Sequence, residues 1–534
     1  MKLSMKNIKY LSLLLGLIAF IGCNEPEDVL KGTNAEPEDV VELPALTAGS
    51  ADFSNYIALG ASFTSGFTDS ALFKASQENS FPNILAQQFS NIGGGTFTQP
   101  LMNDNLGGIA AGGVQLPGAS VGPRLIFNGS APAPITSVIG PAVSSTDLFV
   151  NNLTGPFNNM GVPGAKSFHL LFDGYGNIGN LGVSANPYFI RMASSPTATM
   201  LGDAMSQNPT FFTLSEIGGN DVLGYATSGG DGSNLITPSA GPPGVGFDQT
   251  FGYLVTTLTS GGAKGIVTNV PYVTDLPHFT TVPNNALEID ATTAGQLTGF
   301  FQAVAGIFTQ VLIAQMVPPA QAQALASQYA IPFSEGKNRW IIDVPVTPTN
   351  PLGFRQMTED ELLVLTIDQS ALAQGYGSVA LSNEVLQVLG LLQAGGTPTP
   401  QQGALVIGAV NGIDDGDALD SDELAEIKNA TDAYNTTIAA VASANENVAL
   451  VDLNSLLSEA STTGISSGDF TLTTSLVTGG AVGLDGIHLT ARGYAVMANE
   501  VLKVIDANFG SNFEASENLV NAGDYPTNYS PTLQ

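Results

Sequence analysis

Apolar residues along this chain come in two spacings. Short unbroken runs end at glycine or a polar turn: NYIALG (55–60), TFFTLSEIGG (210–219), GIVTNVP (265–271) and VALVDL (448–453). Runs of that length without apolar–polar alternation predict strands buried on both faces. Between them lie segments whose apolar residues recur three and four apart: SFPNILAQQF (80–89), SSPTATMLGDAMSQ (194–207) and DQTFGYLVTTLTS (248–260). These read as helices, the second with a serine cap and proline in its first turn. Strands separated by helices predict an α/β architecture of three layers, a mainly parallel sheet with helices on both faces.

Two stretches exceed what such a domain needs. Residues 92–157 are rich in Gly and Pro and read as a large loop insertion. A second insertion is expected near 280–445. It contains LTGFFQAVAGIFTQVLIAQMV (297–317), a strongly apolar helix stopped by Pro318 and Pro319. Glutamines 302, 310 and 315 argue against a membrane span. The alternatives are a helix buried on the domain surface and a lid or acyl-chain wall over an active site. The acids of DDGDALDSDE (414–423) could suggest calcium, but their spacing lacks the glycine and terminal glutamate that an EF-hand loop places. Asp420 and Glu423 instead have the spacing of a helix capping box. Residues 511–534 read as a C-terminal tail.

The start of the chain is not fold. Lys2, Lys6 and Lys9 precede an apolar run (10–20), and FIGC brings a small residue before Cys23. The run is shorter than the roughly 20 residues of a membrane span. Cys23 is the only cysteine, so no intramolecular disulfide can form. Residues 1–22 resemble a bacterial lipoprotein signal, which implies Cys23 as the lipidated new N-terminus, a membrane anchor and an outer-membrane location. Secretion with a free thiol is the alternative. Residues 23–52, acidic and twice carrying EPEDV, read as a flexible tether.

Charge narrows the partners. Asp and Glu number 46 against 15 Lys and Arg, so phosphate backbones are repelled and nucleic acid is not an expected partner. The three histidines are too dispersed for a zinc site; neither metal nor cofactor is expected.

Four segments carry candidate chemistry. In DGIH, Asp485 precedes His488 by three residues, close enough for the carboxylate to hold one imidazole N–H and fix the tautomer. His169 and His278 lack an acid at that spacing and read as structural. Ser62, in GASFTSG, follows the first strand into a glycine-flanked turn. There it is either a helix cap or a hydroxyl at a helix N-terminus, where backbone N–H groups favour negative charge. Gly164, in GVPGA, can offer its N–H at close approach. Asn220, in GGND, stands where open α/β sheets place ligand-contacting groups, or forms an ordinary Asx turn.

In this order the four segments resemble the blocks of the SGNH hydrolases, the GDSL esterase/lipase family, over about residues 53–510. The resemblance implies a flavodoxin-like sheet and hydrolysis of carboxylic esters, with Ser62 as nucleophile, His488 as base and Asp485 orienting it. It implies an oxyanion hole from the Ser62 and Gly164 N–H groups and the Asn220 side chain, and as substrate an acyl lipid or acylated glycan. The family usually carries Asp before the serine. Ala61 stands there in this chain, which leaves open what supports the turn. The rival expectation is a non-catalytic surface lipoprotein binding glycan or peptide on an inactivated scaffold.

Overall fold

The computed structural model describes residues 43–150 and 153–533. One compact body takes in residues 46–514 and those from 518 on. Its frame, in chain order, is β1 (Tyr56–Gly60), a single helical turn α1 (Ser62–Ser65), α2 (Phe81–Ser90), β2 (Asn159–Gly161), α3 (Met200–Met205), β3 (Phe211–Ser215), α4 (Gly219–Thr227), α5 (Phe247–Thr259), β4 (Lys264–Thr268), α6 (Ala291–Ala314), α7 (Ser421–Ser443), β5 (Val448–Val451), α8 (Leu453–Thr462) and α9 (Ala491–Phe509).

The five strands are all parallel and lie in the order β2-β1-β3-β4-β5. Every residue of β1 and β3 is buried. Successive strand side chains point to opposite faces, so both faces of the sheet are covered, as the unbroken apolar runs predict. The covering helices pack in two groups, α2 with α9 and α7 with α4 and α5. The chain leaves β1 for β2 on one side and returns to β3 on the other. That reversal opens a crevice beyond the C-terminal ends of β1 and β3, where sheets of this kind bind ligands. Register makes the ends level: Gly60 pairs with both Gly161 and Ser215. The segments bearing Ser62, Gly164 and Asn220 all leave the sheet from this edge.

Several boundaries differ from those the sequence predicts. The helix expected over 194–207 forms only from Met200, because the Thr199 side chain accepts the Gly202 N–H and caps it there. The preceding loop is tied instead to the Asp203 carboxylate through Ser194. The second insertion ends before α7. That helix buries Ile427, Tyr434 and Ile438 in the main core, and Asp420 and Glu423 form its capping box. The tether is shorter than 23–52, since Ser50 donates its N–H to Phe509 O and Ala51 is buried. Cys23, the signal segment and most of the tether lie outside the described residues. The C-terminal segment belongs to the body: buried Arg124 donates to the carbonyls of Asn105, Tyr529, Ser530 and Leu533.

Helix α6 is, among the described residues, the one helix long and apolar enough to cross a membrane. Its buried face instead centres a second core. Phe300, Phe301, Val304 and Phe308 pack there with residues of the helices Pro319–Ala326, Asn383–Gln393 and Pro400–Ile407. α6 and these three helices therefore share a core apart from the sheet, while Val270, Val273, Leu276, Phe279, Val364 and Leu419 of the same stretch join the main core.

Candidate active site

The crowded exit of β1 creates the Ser62 turn. Gly161 at the end of β2 lies so close that a Cβ there would stand 2.3 Å from Ser65 N. Ser62 opens α1, a four-residue turn closed by Gly66 in the left-handed region. The sequence predicts a hydroxyl at a helix N-terminus, but a single turn has almost no macrodipole. What the turn does present is the Ser62 N–H, which makes no hydrogen bond, and a buried hydroxyl whose oxygen is also without a partner.

Glu216 supplies the support that Ala61 does not. It follows β3 directly, and its carboxylate accepts the N–H groups of Ala61 (2.7 Å) and Thr64 (3.1 Å) and the Thr64 hydroxyl (3.2 Å). Its φ of 48° lies in the left-handed region. Such a conformation is disfavoured for a residue with a Cβ and persists where the surroundings over-determine it. Burial raises the Glu216 carboxyl to about 7, against the lowering effect of its hydrogen bonds. Folding therefore takes up a proton, and the stability from this group is full below the ordinary glutamate range and lost as pH rises through about 7. The thermal midpoint is expected to fall from about pH 5 to about pH 8, and Glu216→Gln to fall less steeply in calorimetry. Buried Asp69, also raised to about 7 by burial, keeps some slope in the variant. The acidic chain's self-repulsion acts on both proteins alike. Superimposable slopes would show that Glu216 does not titrate in this way.

The Asn220 side chain donates one amide hydrogen to Ala165 O (3.0 Å), which orients the group and leaves its second N–H free. Gly164, at φ 79°, precedes that carbonyl and is exposed, with its own N–H unpaired. Asp221 fixes the same loop by accepting the Ser167 N–H (2.9 Å) and hydroxyl (2.7 Å). The structure thus ties Asn220 to the Gly164 turn, and three N–H groups near the sheet edge remain uncommitted.

Asp485 and His488 stand on the loop before α9. One carboxylate oxygen accepts the N–H groups of Ile487 (2.9 Å) and His488 (2.8 Å). The other faces His488 Nδ1 (3.0 Å) and accepts the Ser70 N–H (2.7 Å). Burial alone would raise this carboxyl. Attraction to the His488 ring and these hydrogen bonds outweigh it and hold the group at about 2. The imidazole packs against the Ser62 segment, its ring centroid 6.0 Å from that of Phe63 and 4.5 Å from that of Phe67. Asp69 clamps the loop again by accepting the Leu484 N–H (2.8 Å). His169 is structural, as predicted: its Nδ1 accepts the Lys166 N–H. His278 is buried and its backbone N–H holds Gly486 O (3.0 Å), so it braces the Asp485 loop through its main chain.

Two hollows meet here. A narrow cavity of about 90 Å³ has Ser62, Glu216 and Asn220 in its wall. A wide hollow of about 830 Å³ has Asp485 and His488 in its wall. Ile487 belongs to both walls, so they adjoin. No residue of α6 lines either one.

No family model, curated protein or solved structure matches this chain. Its chemistry has to be argued from the site.

Glu216 and Asp69 are the residues that motif reading misses. The available signal for Glu216 is an acid closing an otherwise apolar strand, in TLSEIGG. Such an acid is buried and must find donors. Asp69 has no comparable signal, since Asp–Ser pairs are common in turns.

Proposed function

We propose that the chain is a serine hydrolase of carboxylic esters, with an SGNH-type flavodoxin-like fold. The observation that carries this reading is the convergence at one sheet edge. A buried serine shares a cavity wall with a carboxamide, and the rings flanking that serine pack on an imidazole oriented by a buried carboxylate. The order of the four sequence blocks adds to it.

In this reaction Ser62 Oγ attacks the ester carbonyl as its proton passes to His488 Nε2. Asp485 keeps the other proton on Nδ1 and stabilises the imidazolium. The new oxyanion is met by the N–H groups of Ser62 and Gly164 and the free amide hydrogen of Asn220, which need no reorganisation because no other group holds them. Collapse of the intermediate breaks the bond to the alcohol oxygen, which takes the proton from His488. Water, deprotonated by His488, then attacks the acyl-serine, and the acid leaves as Ser62 regains its proton. Catalytic hydrogen bonds between nucleophile and base commonly close only with substrate in place, which accommodates the unpaired Ser62 hydroxyl.

The test is a fluorophosphonate, which phosphonylates an activated serine. Peptide mass spectrometry is expected to find the adduct on Ser62 and on no other serine. Absence of any adduct would favour the rival reading of a non-catalytic lipoprotein. By its N-terminal residues, the mature chain is proposed to be anchored to a membrane through Cys23.

A further inference from the structure

The narrow cavity is built for one kind of guest. Apart from Ser62, Glu216 and Asn220, every residue in its wall is apolar or glycine. The far wall comes from α8 (Leu456, Leu457, Ala460), the hairpin residues Ile465 and Leu472, and Met497 of α9. Three elements close around a space of about 90 Å³. Sugar hydroxyls or peptide amides would enter without hydrogen-bond partners, which polar groups leaving water require. An acetyl group would leave most of the wall unused. Methylene groups suit the chemistry of this wall.

The two hollows also set a direction. The leaving oxygen takes its proton from His488, so the alcohol lies on the His488 side. The wide hollow there has a mixed wall, with polar Ser70, Thr281 and Gln369 beside apolar Phe67, Leu365 and Leu484.

We propose that the acid part of the substrate is an acyl chain of several carbons, housed in the cavity between Ser62 and α8, while the alcohol occupies the hollow beside His488. This rests on the hydrolase reading and adds the substrate class to it.

The test is a series of p-nitrophenyl esters, from acetate through octanoate to dodecanoate, given to the full chain. Full burial of one methylene corresponds to about fourfold in kcat/KM, so partial burial along the chain still predicts at least about a tenfold rise from acetate to octanoate. Ala460→Phe places a ring in the cavity and is expected to lower the octanoate-to-acetate ratio of kcat/KM at least tenfold. Ala460 is buried and its replacement can disturb α8. Leu456→Trp, at a partly exposed position of the same wall, is expected to lower the ratio in the same direction. A wild-type profile that is flat or falls with chain length, in protein that labels with fluorophosphonate at Ser62, would overturn the acyl-chain assignment and leave the hydrolase reading standing. Neither labelling nor turnover of any ester would overturn the hydrolase reading, and this inference with it.

Discussion

Ser62→Ala is expected to lower kcat for p-nitrophenyl ester hydrolysis by about 10⁴–10⁶-fold, with little change in thermal midpoint. In the proposed reaction the hydroxyl oxygen is the atom that bonds to carbon, and the other groups have nothing to deliver without it. The residual rate comes from the N–H groups and the walls, which still bind and polarise the ester. Removing this oxygen leaves no protein group unsatisfied, because it makes no hydrogen bond within the chain. Stability and activity should therefore separate cleanly. Steady-state kinetics on variant protein whose melting matches wild type decides the matter. Hydrolysis at the wild-type rate would remove Ser62 from the mechanism altogether.

Asp485→Asn is expected to lower kcat by about 10⁴-fold. The two carboxylate oxygens face four nitrogens: three backbone N–H groups and His488 Nδ1. An amide has only one oxygen to offer. If that oxygen keeps Ile487 and His488 N–H, the NH₂ faces Nδ1 and Ser70. The imidazole must then accept at Nδ1 and carry its proton on Nε2, where it can no longer take one from Ser62. If the amide turns over, its NH₂ points at two backbone donors and the loop before α9 is pushed open. Either way the base is lost, through tautomer or through position. Pre-steady-state acylation by a p-nitrophenyl ester measures this step directly. A burst as fast as that of wild type would show that Asp485 does not set the state of His488.

The sheet was legible because its strands are buried on both faces and therefore read as unbroken apolar runs bounded by glycine. The exception is β2, only three residues long and one of them Asn159, which gives no apolar run to find. Ser62, Gly164, Asn220, Asp485 and His488 were legible as candidates because short local segments single them out. Glu216 is different. Its task is to receive N–H groups from a turn 152 to 155 residues earlier in the chain, and no local pattern encodes a partner that distant. For α6 the sequence left a buried helix and a lid as alternatives for a similar reason. Hydropathy shows that the helix is covered, but what covers it lies later in the chain, joined with it in a second core. The insertion boundary at α7 failed because loop-like acids precede a helix whose buried residues, Ile427, Tyr434 and Ile438, are widely spaced and easily read as surface.

Arg124 has a consequence for the order in which the chain folds. The guanidinium sits buried beside Asp69, and its acceptors include the carbonyls of Tyr529, Ser530 and Leu533. Asp69 in turn grips Leu484, and its neighbour Ser70 grips Asp485. These contacts join segments 405 to 409 residues apart in the chain. Closing so long a loop is entropically costly and comes late in folding. The loops bearing Ser70 and Asp485 are therefore expected to reach their final places only when this knot closes.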